Sequence, residues 1–157
     1  RDMDTLEDMV VKSCTYKKLV VEKDPTEKGE RAILNFGHTI GHAIEKAKNF
    51  ELLHGECVAL GCVAAAFISW KRELLSMEEY YEIRDMFVPF NLPITIDDID
   101  PNEILRLIAS DKKVEGDKIK FILLKKVGKA IIDTSVTKDE IMSGIQEIYF
   151  SEEDEHE

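Results

Sequence analysis

The sequence predicts a mainly α-helical bundle with one small β-hairpin. Three observations support this fold class: apolar residues recur every three or four positions over several long stretches, three short motifs have the form of helix caps, and one pair of apolar or β-branched runs has the form of strands. The chain has 157 residues and is 44% hydrophobic, which is enough for one domain with a sizeable core. We place that domain at residues 1–150.

The first half of the chain carries three predicted helices. Apolar spacing indicates a first helix from about Asp4 to Glu22, ended by Asp24-Pro25 because a residue before proline is pushed out of the helical region. A second apolar pattern runs from Ala32 to Lys48. A third, from about Glu56 to Leu74, is apolar nearly all round, so we expect it at the centre of the bundle.

In the second half of the chain, capping motifs mark the predicted starts of helices. Ser76, Asp100 and Thr137 are each followed three residues later by a glutamate, the spacing of a capping box, and helices should begin at these residues. The runs Lys118–Leu124 and Ala130–Thr134 are separated by a charged, glycine-containing segment. This arrangement predicts a hairpin.

Charge and composition exclude several classes of function. The net charge of −11 argues against a general affinity for nucleic acid or for an anionic membrane, because phosphate groups would be repelled. The most apolar stretch, Cys57–Trp70, is too short to span a membrane, and no glycine-rich nucleotide-binding turn is present. Residues 151–157 are acidic and lack apolar anchors, which predicts a disordered tail.

The cysteines and the first residues suggest the context of the chain. Cys14, Cys57 and Cys62 form no Cys-x-x-Cys pair, so we expect reduced, buried thiols and a cytoplasmic location. The chain enters helical periodicity without an initiator methionine. We therefore expect a fragment whose N-terminal part is missing.

Three histidines carry the main chemical signal. His38 and His42 are four residues apart, which places both rings on one face of a helix, and His54 follows at the start of the next predicted helix. An antiparallel helix pair could return His54 to the other two. Spacing alone allows a three-histidine zinc site, whereas the alternative is three unrelated polar residues.

Two glycines strengthen the first interpretation. Gly37 and Gly41 each precede a histidine of the pair, and a glycine inside a helix costs roughly 1 kcal/mol relative to alanine. We expect a close approach of another backbone or of a ligand at this stripe.

Several cations are candidates for binding an anion. Lys17 shares an apolar stripe with Cys14, which predicts that it points into the bundle, although a lysine at the core edge with its ammonium in water fits as well. Arg31 lies four residues before Asn35 and seven before His38, so it shares their face if the second helix begins early. Lys112 and Lys113, considered on their own, are interpreted as solvated surface charges.

Together these residues resemble the signature of 3-dehydroquinate synthases. The resemblance spans Lys17 to Gly128 and is carried, in order, by Lys17, Asp24, Gly29, Arg31, Leu34-Asn35, Gly37-His38-Thr39, Gly41-His42-Ala43-Ile44-Glu45, Leu53-His54-Gly55-Glu56, Asp111-Lys112-Lys113 and Phe121–Gly128. A string of this length and spacing is far more specific than a bare His-x-x-x-His match.

The resemblance implies a two-domain enzyme of which this chain is the helical C-terminal domain. The N-terminal domain, absent from this chain, would bind NAD, and the active site would lie in the cleft between the domains. The family converts 3-deoxy-D-arabino-heptulosonate 7-phosphate, a phosphorylated sugar acid, to 3-dehydroquinate and phosphate in the shikimate pathway. The resemblance also implies that the bound metal is Zn²⁺ or Co²⁺ and that the full-length enzyme is a homodimer.

The resemblance further assigns roles to single residues. Metal ligation falls to His38 and His54, with a third ligand, a glutamate, from the N-terminal domain. His42 would lie beside the substrate phosphate as a proton-handling group, which corrects the three-histidine site. The remaining substrate contacts are the carboxylate-binding Lys17 and Arg31 and the phosphate-binding Asn35 and either Lys112 or Lys113. Without its other half, the fragment is expected to be inactive.

Three other interpretations compete with this one. Another sugar-phosphate cyclase, such as a 2-deoxy-scyllo-inosose synthase, would share the fold and cofactors, but its substrate has no carboxylate for Lys17 and Arg31. Polyol and iron-type alcohol dehydrogenases share the two-domain plan without the full Arg31–His42 string. A non-catalytic helical binding module could keep the histidines for structure alone.

Overall fold

The computed structural model describes residues 2–26, 29–111, 114–115 and 118–150, with only the backbone described at 114–115. The chain divides into two compact units, residues 1–34 and residues 35–157, and each is described by itself. Lys112, Lys113 and the predicted tail at 151–157 lie outside the described residues.

The first unit contains helix α1 (Met3–Lys23) and the first residues of a 3-10 helix (Glu30–Asn35). Asp2 caps α1 by accepting a hydrogen bond from the Asp4 amide. After the helix, the Asp24 carboxylate accepts hydrogen bonds from the backbone amides of Gly29 (2.7 Å) and Arg31 (3.1 Å). This single side chain therefore closes the loop between the two helices.

Two predictions for α1 are wrong. No residue of α1 is buried, and Lys17 is exposed rather than directed into a bundle. Cys14 is likewise exposed, whereas Cys57 is buried as expected and Cys62 is half-buried. An apolar stripe shows which face of a helix can be buried, but it does not show that the same chain supplies the partner.

The second unit is built around a central helix. Its helices are α2 (His38–Ala47), α3 (His54–Lys71), α4 (Met77–Asp85), a 3-10 turn (Val88–Phe90), α5 (Pro101–Ser110) and α6 (Lys138–Ile148). Most of α3 is buried, and it packs against α2, α4 and α6. The predicted central position of this helix is confirmed, as are the caps at Ser76, Asp100 and Thr137.

The strands form two antiparallel pairs among the described residues. The pair β3 (Phe121–Lys126) and β4 (Lys129–Asp133) confirms the predicted hairpin. A shorter pair, β1 (Val114–Glu115) and β2 (Lys118–Ile119), precedes it and was not expected. The mainly α-helical fold class is confirmed.

The predicted second helix is broken near its middle. The 3-10 helix ends at Asn35, Gly37 adopts φ +79°, and α2 begins only at His38. A Cβ on Gly37 would lie 2.8 Å from the Cys62 amide nitrogen and 2.9 Å from the Val58 carbonyl oxygen, so this turn accepts only glycine. The expectation that Arg31 shares a helix face with His38 is therefore wrong.

No helix among the described residues combines the length and hydropathy that crossing a lipid bilayer requires.

Candidate metal centre

Helices α2 and α3 meet backbone to backbone. A Cβ on Gly41 would lie 3.0 Å from the Cys57 carbonyl oxygen, and one on Gly61 would overlap the Gly37 carbonyl oxygen. The pairing of position 41 with 57 and of 37 with 61 makes the two helices antiparallel. The predicted close approach at the glycine stripe is confirmed, and it fixes the spacing of the two helices that carry the histidines.

The link between these helices reverses the chain within a few residues. Asn49 and Phe50 both adopt positive φ, 52° and 59°, which turns the backbone sharply after α2. His54 is then the first residue of α3, as His38 is the first residue of α2. This short reversal returns His54 to the helix face that carries His38 and His42.

The three imidazole rings form a compact triangle. Ring centroids are 5.2 Å apart for His38 and His42, 5.4 Å for His38 and His54, and 5.7 Å for His42 and His54. The convergence expected from the sequence spacing is therefore observed. Ring separations alone do not distinguish the three residues from one another.

The tautomer of His38 follows from its hydrogen bond. Its Nδ1 lies 3.2 Å from the Phe36 carbonyl oxygen, and a carbonyl can only accept, so Nδ1–H donates. The lone pair of the neutral ring then resides on Nε2. This is the arrangement in which a histidine binds a metal through one nitrogen while the backbone fixes the other.

Glu45 fixes the second ring. Its Oε1 lies 2.7 Å from His54 Nδ1 and 3.4 Å from His42 Nδ1, and its side chain is only 12% exposed. The hydrogen bond from His54 is the main reason that the pKa of Glu45 is lowered. An ionised carboxylate only accepts, so His54 Nδ1–H donates and its Nε2 carries the lone pair.

The donor set fits a tetrahedral metal ion. Two imidazoles bound through Nε2 to one Zn²⁺ at about 2.0–2.1 Å have ring centroids roughly 5 Å apart, close to the separations in this triangle. The ligand atoms of His42, Glu45 and His54 also lie within 4.8 Å of one another and form a second possible group.

Distances separate these two possibilities. Two ligands on one tetrahedral zinc lie roughly 3.3 Å apart, whereas Glu45 Oε1 and His54 Nδ1 are 2.7 Å apart. Their contact is thus a hydrogen bond that leaves Nε2 of His54 for the metal.

His38 and His42 border a narrow cleft. His38, Thr39 and His42 line it from α2, Ile108 and Asp111 from the end of α5, and Ile119 and Lys120 from the edge of the strands. Sequence reasoning gave Lys120 no role. Its position between the buried Ile119 and Phe121 is the strand alternation that could have indicated it.

Of the other predicted substrate residues, the structure describes Lys17, Arg31 and Asn35. Lys17 and Arg31 belong to the first unit, where Arg31 Nη1 donates to the Pro25 carbonyl oxygen at 2.8 Å. Asn35 is half-buried at the end of the 3-10 helix.

From the sequence, Glu45 was included in the family signature but was given no role. Glu45 lies seven residues after His38 and three after His42, and this spacing puts it on the same helix face as both.

Comparison with known proteins identifies the family. Residues 1–114 match the 3-dehydroquinate synthase C-terminal family. The 3-dehydroquinate synthase of Nitrosospira multiformis is 42% identical over 137 residues, which cover 87% of this chain and 37% of that protein. The chain therefore spans about two fifths of the length of such relatives.

Solved structures give the same answer for the fold. A crystal structure of 2-deoxy-scyllo-inosose synthase matches with a TM-score of 0.77 and 27% identity, covering 91% of this chain and 41% of that one. A second structure of this enzyme, complexed with carbaglucose-6-phosphate, NAD⁺ and Co²⁺, matches with a TM-score of 0.73 and 29% identity, covering 85% and 39%. With its glycine-paired helices and converging histidines, this chain belongs to the 3-dehydroquinate synthase family, and it matches that family's C-terminal domain.

Proposed function

We propose that this chain is the metal- and substrate-binding part of a 3-dehydroquinate synthase, which converts 3-deoxy-D-arabino-heptulosonate 7-phosphate to 3-dehydroquinate and phosphate. The observation that carries the proposal is the triangle of His38, His42 and His54, of which His38 and His42 line one cleft. The relatives named 3-dehydroquinate synthase, at up to 42% identity among those compared, favour this reaction over that of another cyclase.

His38 and His54 are the proposed metal ligands. Both rings donate Nδ1–H within the protein and keep the Nε2 lone pair for a metal. A Zn²⁺ or Co²⁺ ion there would polarise a substrate hydroxyl and so favour loss of its proton while the carbon that bears it gives up hydride to NAD. The third ligand and most of the NAD site would come from an N-terminal domain.

His42 is the proposed proton carrier. Its side chain is 38% exposed and lines the cleft beside His38. Its Nδ1 faces Glu45, which leaves Nε2 to exchange a proton with the substrate near its phosphate. The geometry required is one hydrogen bond from Nε2 to a substrate oxygen.

The two anionic ends of the substrate require local cations, because the chain as a whole has a net charge of −11. We assign the carboxylate to Lys17 and Arg31 and the phosphate to Asn35 with either Lys112 or Lys113. Fixed cations at both ends would hold a flexible substrate in a reactive conformation. The full-length enzyme is proposed to be a cytoplasmic homodimer.

Metal content tests the site directly. We expect the purified chain, saturated with Zn²⁺ and dialysed, to retain zinc in inductively coupled plasma analysis, and we expect His38→Ala and His54→Ala to lose it. His156→Ala is the control, because it removes the one histidine that has no proposed role. Zinc content that is indifferent to His38→Ala and His54→Ala would favour a non-catalytic helical module.

Turnover tests the reaction. We expect no phosphate release when this chain alone is given substrate and NAD, because the hydride acceptor site and one metal ligand lie elsewhere. A chimera that joins the N-terminal domain of the Nitrosospira multiformis relative to this chain should release phosphate from the heptulosonate substrate but not from glucose 6-phosphate. Release from glucose 6-phosphate alone would indicate a different cyclase.

A further inference from the structure

We propose that Glu45 is a positioning residue that holds His54 in the Nδ1–H tautomer and thereby presents Nε2 of His54 to the metal. The inference rests on the proposed function, because it concerns one of the two proposed ligands. Glu45 would not itself bind the metal or touch the substrate.

His54 needs such a partner because its own helix gives it little restraint. It is the first residue of α3, and its side chain is 55% exposed. The adjacent cap is occupied by Glu56, which accepts a hydrogen bond from the Leu53 amide at 3.0 Å. An exposed ring at a helix start rotates freely unless something fixes it, and the 2.7 Å contact with Glu45 of α2 does so.

Glu45 is itself held in place. Its side chain is 12% exposed, although its neighbour Lys46 on α2 is exposed. It lies on the same face as His38 and His42, on the helix that meets α3 through glycine contacts. A nearly buried carboxylate with two imidazoles in reach is built to hold an imidazole in one orientation.

The unequal distances also account for different roles of His42 and His54. One oxygen, Oε1, is 2.7 Å from His54 and 3.4 Å from His42. The shorter contact locks a ring, as a ligand requires, while the longer one leaves a ring able to reorient, as a proton carrier requires. The separations between the rings do not distinguish the metal ligand from the proton carrier, whereas the distances from the Glu45 carboxylate do.

The tautomer of His54 tests the proposal without any metal. Long-range ¹⁵N–¹H correlation spectra of the full chain with ¹⁵N-labelled histidine, recorded metal-free at pH 8, should show His54 as the Nδ1–H tautomer. We expect Glu45→Ala to shift His54 to the Nε2–H form or to a mixture of the two. Glu51→Gln is the matched control, because it removes one exposed carboxylate from the link between the same helices.

Metal affinity gives the second readout. Co²⁺ titration, followed by its visible absorption, should show a 10- to 100-fold loss of affinity in Glu45→Ala, the range typical for removing the partner of a metal-bound histidine. Glu45→Asp should recover part of the affinity. Glu51→Gln should bind as the unaltered chain does.

The outcomes separate this inference from the proposed function. An Nδ1–H tautomer of His54 that persists in Glu45→Ala would overturn the positioning role, as would unchanged Co²⁺ affinity. Complete loss of Co²⁺ with an unchanged tautomer would also overturn it, because Glu45 would then be a ligand. Co²⁺ affinity that is insensitive to His38→Ala would instead refute the proposed metal site, whatever Glu45 does.

Discussion

Gly61 lies where the backbones of α2 and α3 touch, and the structure leaves no room there for a side chain. A Cβ on Gly61 would overlap the Gly37 carbonyl oxygen and lie 2.9 Å from the Gly41 amide nitrogen. These atoms belong to the backbone, so no rotamer change can relieve the clash. The separation of the helix starts that carry His38 and His54 depends on this contact.

We expect Gly61→Ala to lower the free energy of unfolding by about 3 kcal/mol or more, because the two helices must move apart. Metal affinity should fall with it, since His38 and His54 separate. Urea unfolding and Co²⁺ titration measure the two effects.

The control for this prediction is on the same helix. Gly55→Ala adds a methyl group that would meet nothing within 4 Å. It should be neutral or stabilise the protein by up to about 1 kcal/mol, as alanine favours helix over glycine. Equal effects of the two substitutions would contradict the role of the helix contact.

For single residues, the sequence indicated which side chains form the site better than it indicated which residues contact each other. The glycine and histidine spacing was sufficient to predict a close helix contact and converging rings. Gly61 and Glu45 gained their roles only when the antiparallel register placed them opposite Gly37 and His54. Lone glycines and glutamates on helices are too common for spacing to single them out.

The end of α3 is tied to α6 by an ionic network centred on Arg72. Arg72 donates to both oxygens of Glu140, at 2.6 and 2.9 Å, and to Asp133 of β4 at 3.2 Å. Glu140 also accepts from the Thr137 amide and so completes the cap of α6. The hydrogen bonds from Arg72 are the main reason that the pKa of Glu140 falls from 4.5 to about 2.

Glu140→Gln should destabilise the protein at neutral pH by on the order of 1–2 kcal/mol, a value reduced for partial exposure of the pair. Because the pKa of Glu140 is lower in the folded state, its contribution is complete above pH 4.5 and is lost as pH falls towards about 2. The stability difference between the two proteins should shrink over this interval. Urea unfolding at several pH values measures it.

Glutamine retains the cap of α6, since its side-chain oxygen can still accept from Thr137. The comparison therefore removes the charge together with the hydrogen bond from Arg72 Nε to the second carboxylate oxygen. Glu82→Gln, an exposed substitution on α4, is the control and should leave the stability at neutral pH within about 0.5 kcal/mol. A Glu140→Gln difference that stays constant from pH 6 to pH 3 would contradict the network's role.

The sequence predicted the ends of helices that are set by a capping side chain. It missed the end that is set by contact with another helix. Ser76, Asp100 and Thr137 carry the start of a helix in their own side chains. The break at Gly37 comes from the approach of α3, while the apolar spacing continues across it undisturbed. Gly37 permits such a break, but the local sequence does not show that a neighbouring helix enforces it.

The hydrophobic core of the described residues lies within the second unit. Its buried members run from Ile40 to Ile148, and no described residue of the first unit is buried. The exposed apolar side chains of α1 include Val10 at 62% and Tyr16 at 65%. The first unit thus adds little to the burial that stabilises the chain.

Removing residues 1–34 should therefore leave a cooperative thermal transition, with the free energy of unfolding changed by no more than about 1 kcal/mol. Circular dichroism during heating measures it. Removal of residues 138–157 is the contrasting deletion, because α6 contributes the fully buried Ile141, Ile145 and Ile148. This second deletion should abolish the cooperative thermal transition. A transition that persists without residues 138–157 would contradict this description of the core.

For the whole molecule, the sequence predicted the family and the central helix correctly but misjudged α1. The signature string is long enough to specify a family, and an all-apolar helix has only one suitable place in a bundle. The burial of Lys17 and Cys14 was inferred from an apolar stripe on α1, but no described residue of α1 is buried.

The contact of Gly37, Gly41 and Gly61 also bears on how this domain can change over evolutionary time. Main-chain atoms are common to all amino acids, so side chains elsewhere in the core can drift without altering the spacing of the two histidine-bearing helix starts. The contact itself has no such tolerance, because no second substitution can shrink a backbone to compensate for an added methyl group. Divergent descendants of this fold would therefore change substrates by altering the cleft walls long before altering the joint that sets the distance between His38 and His54.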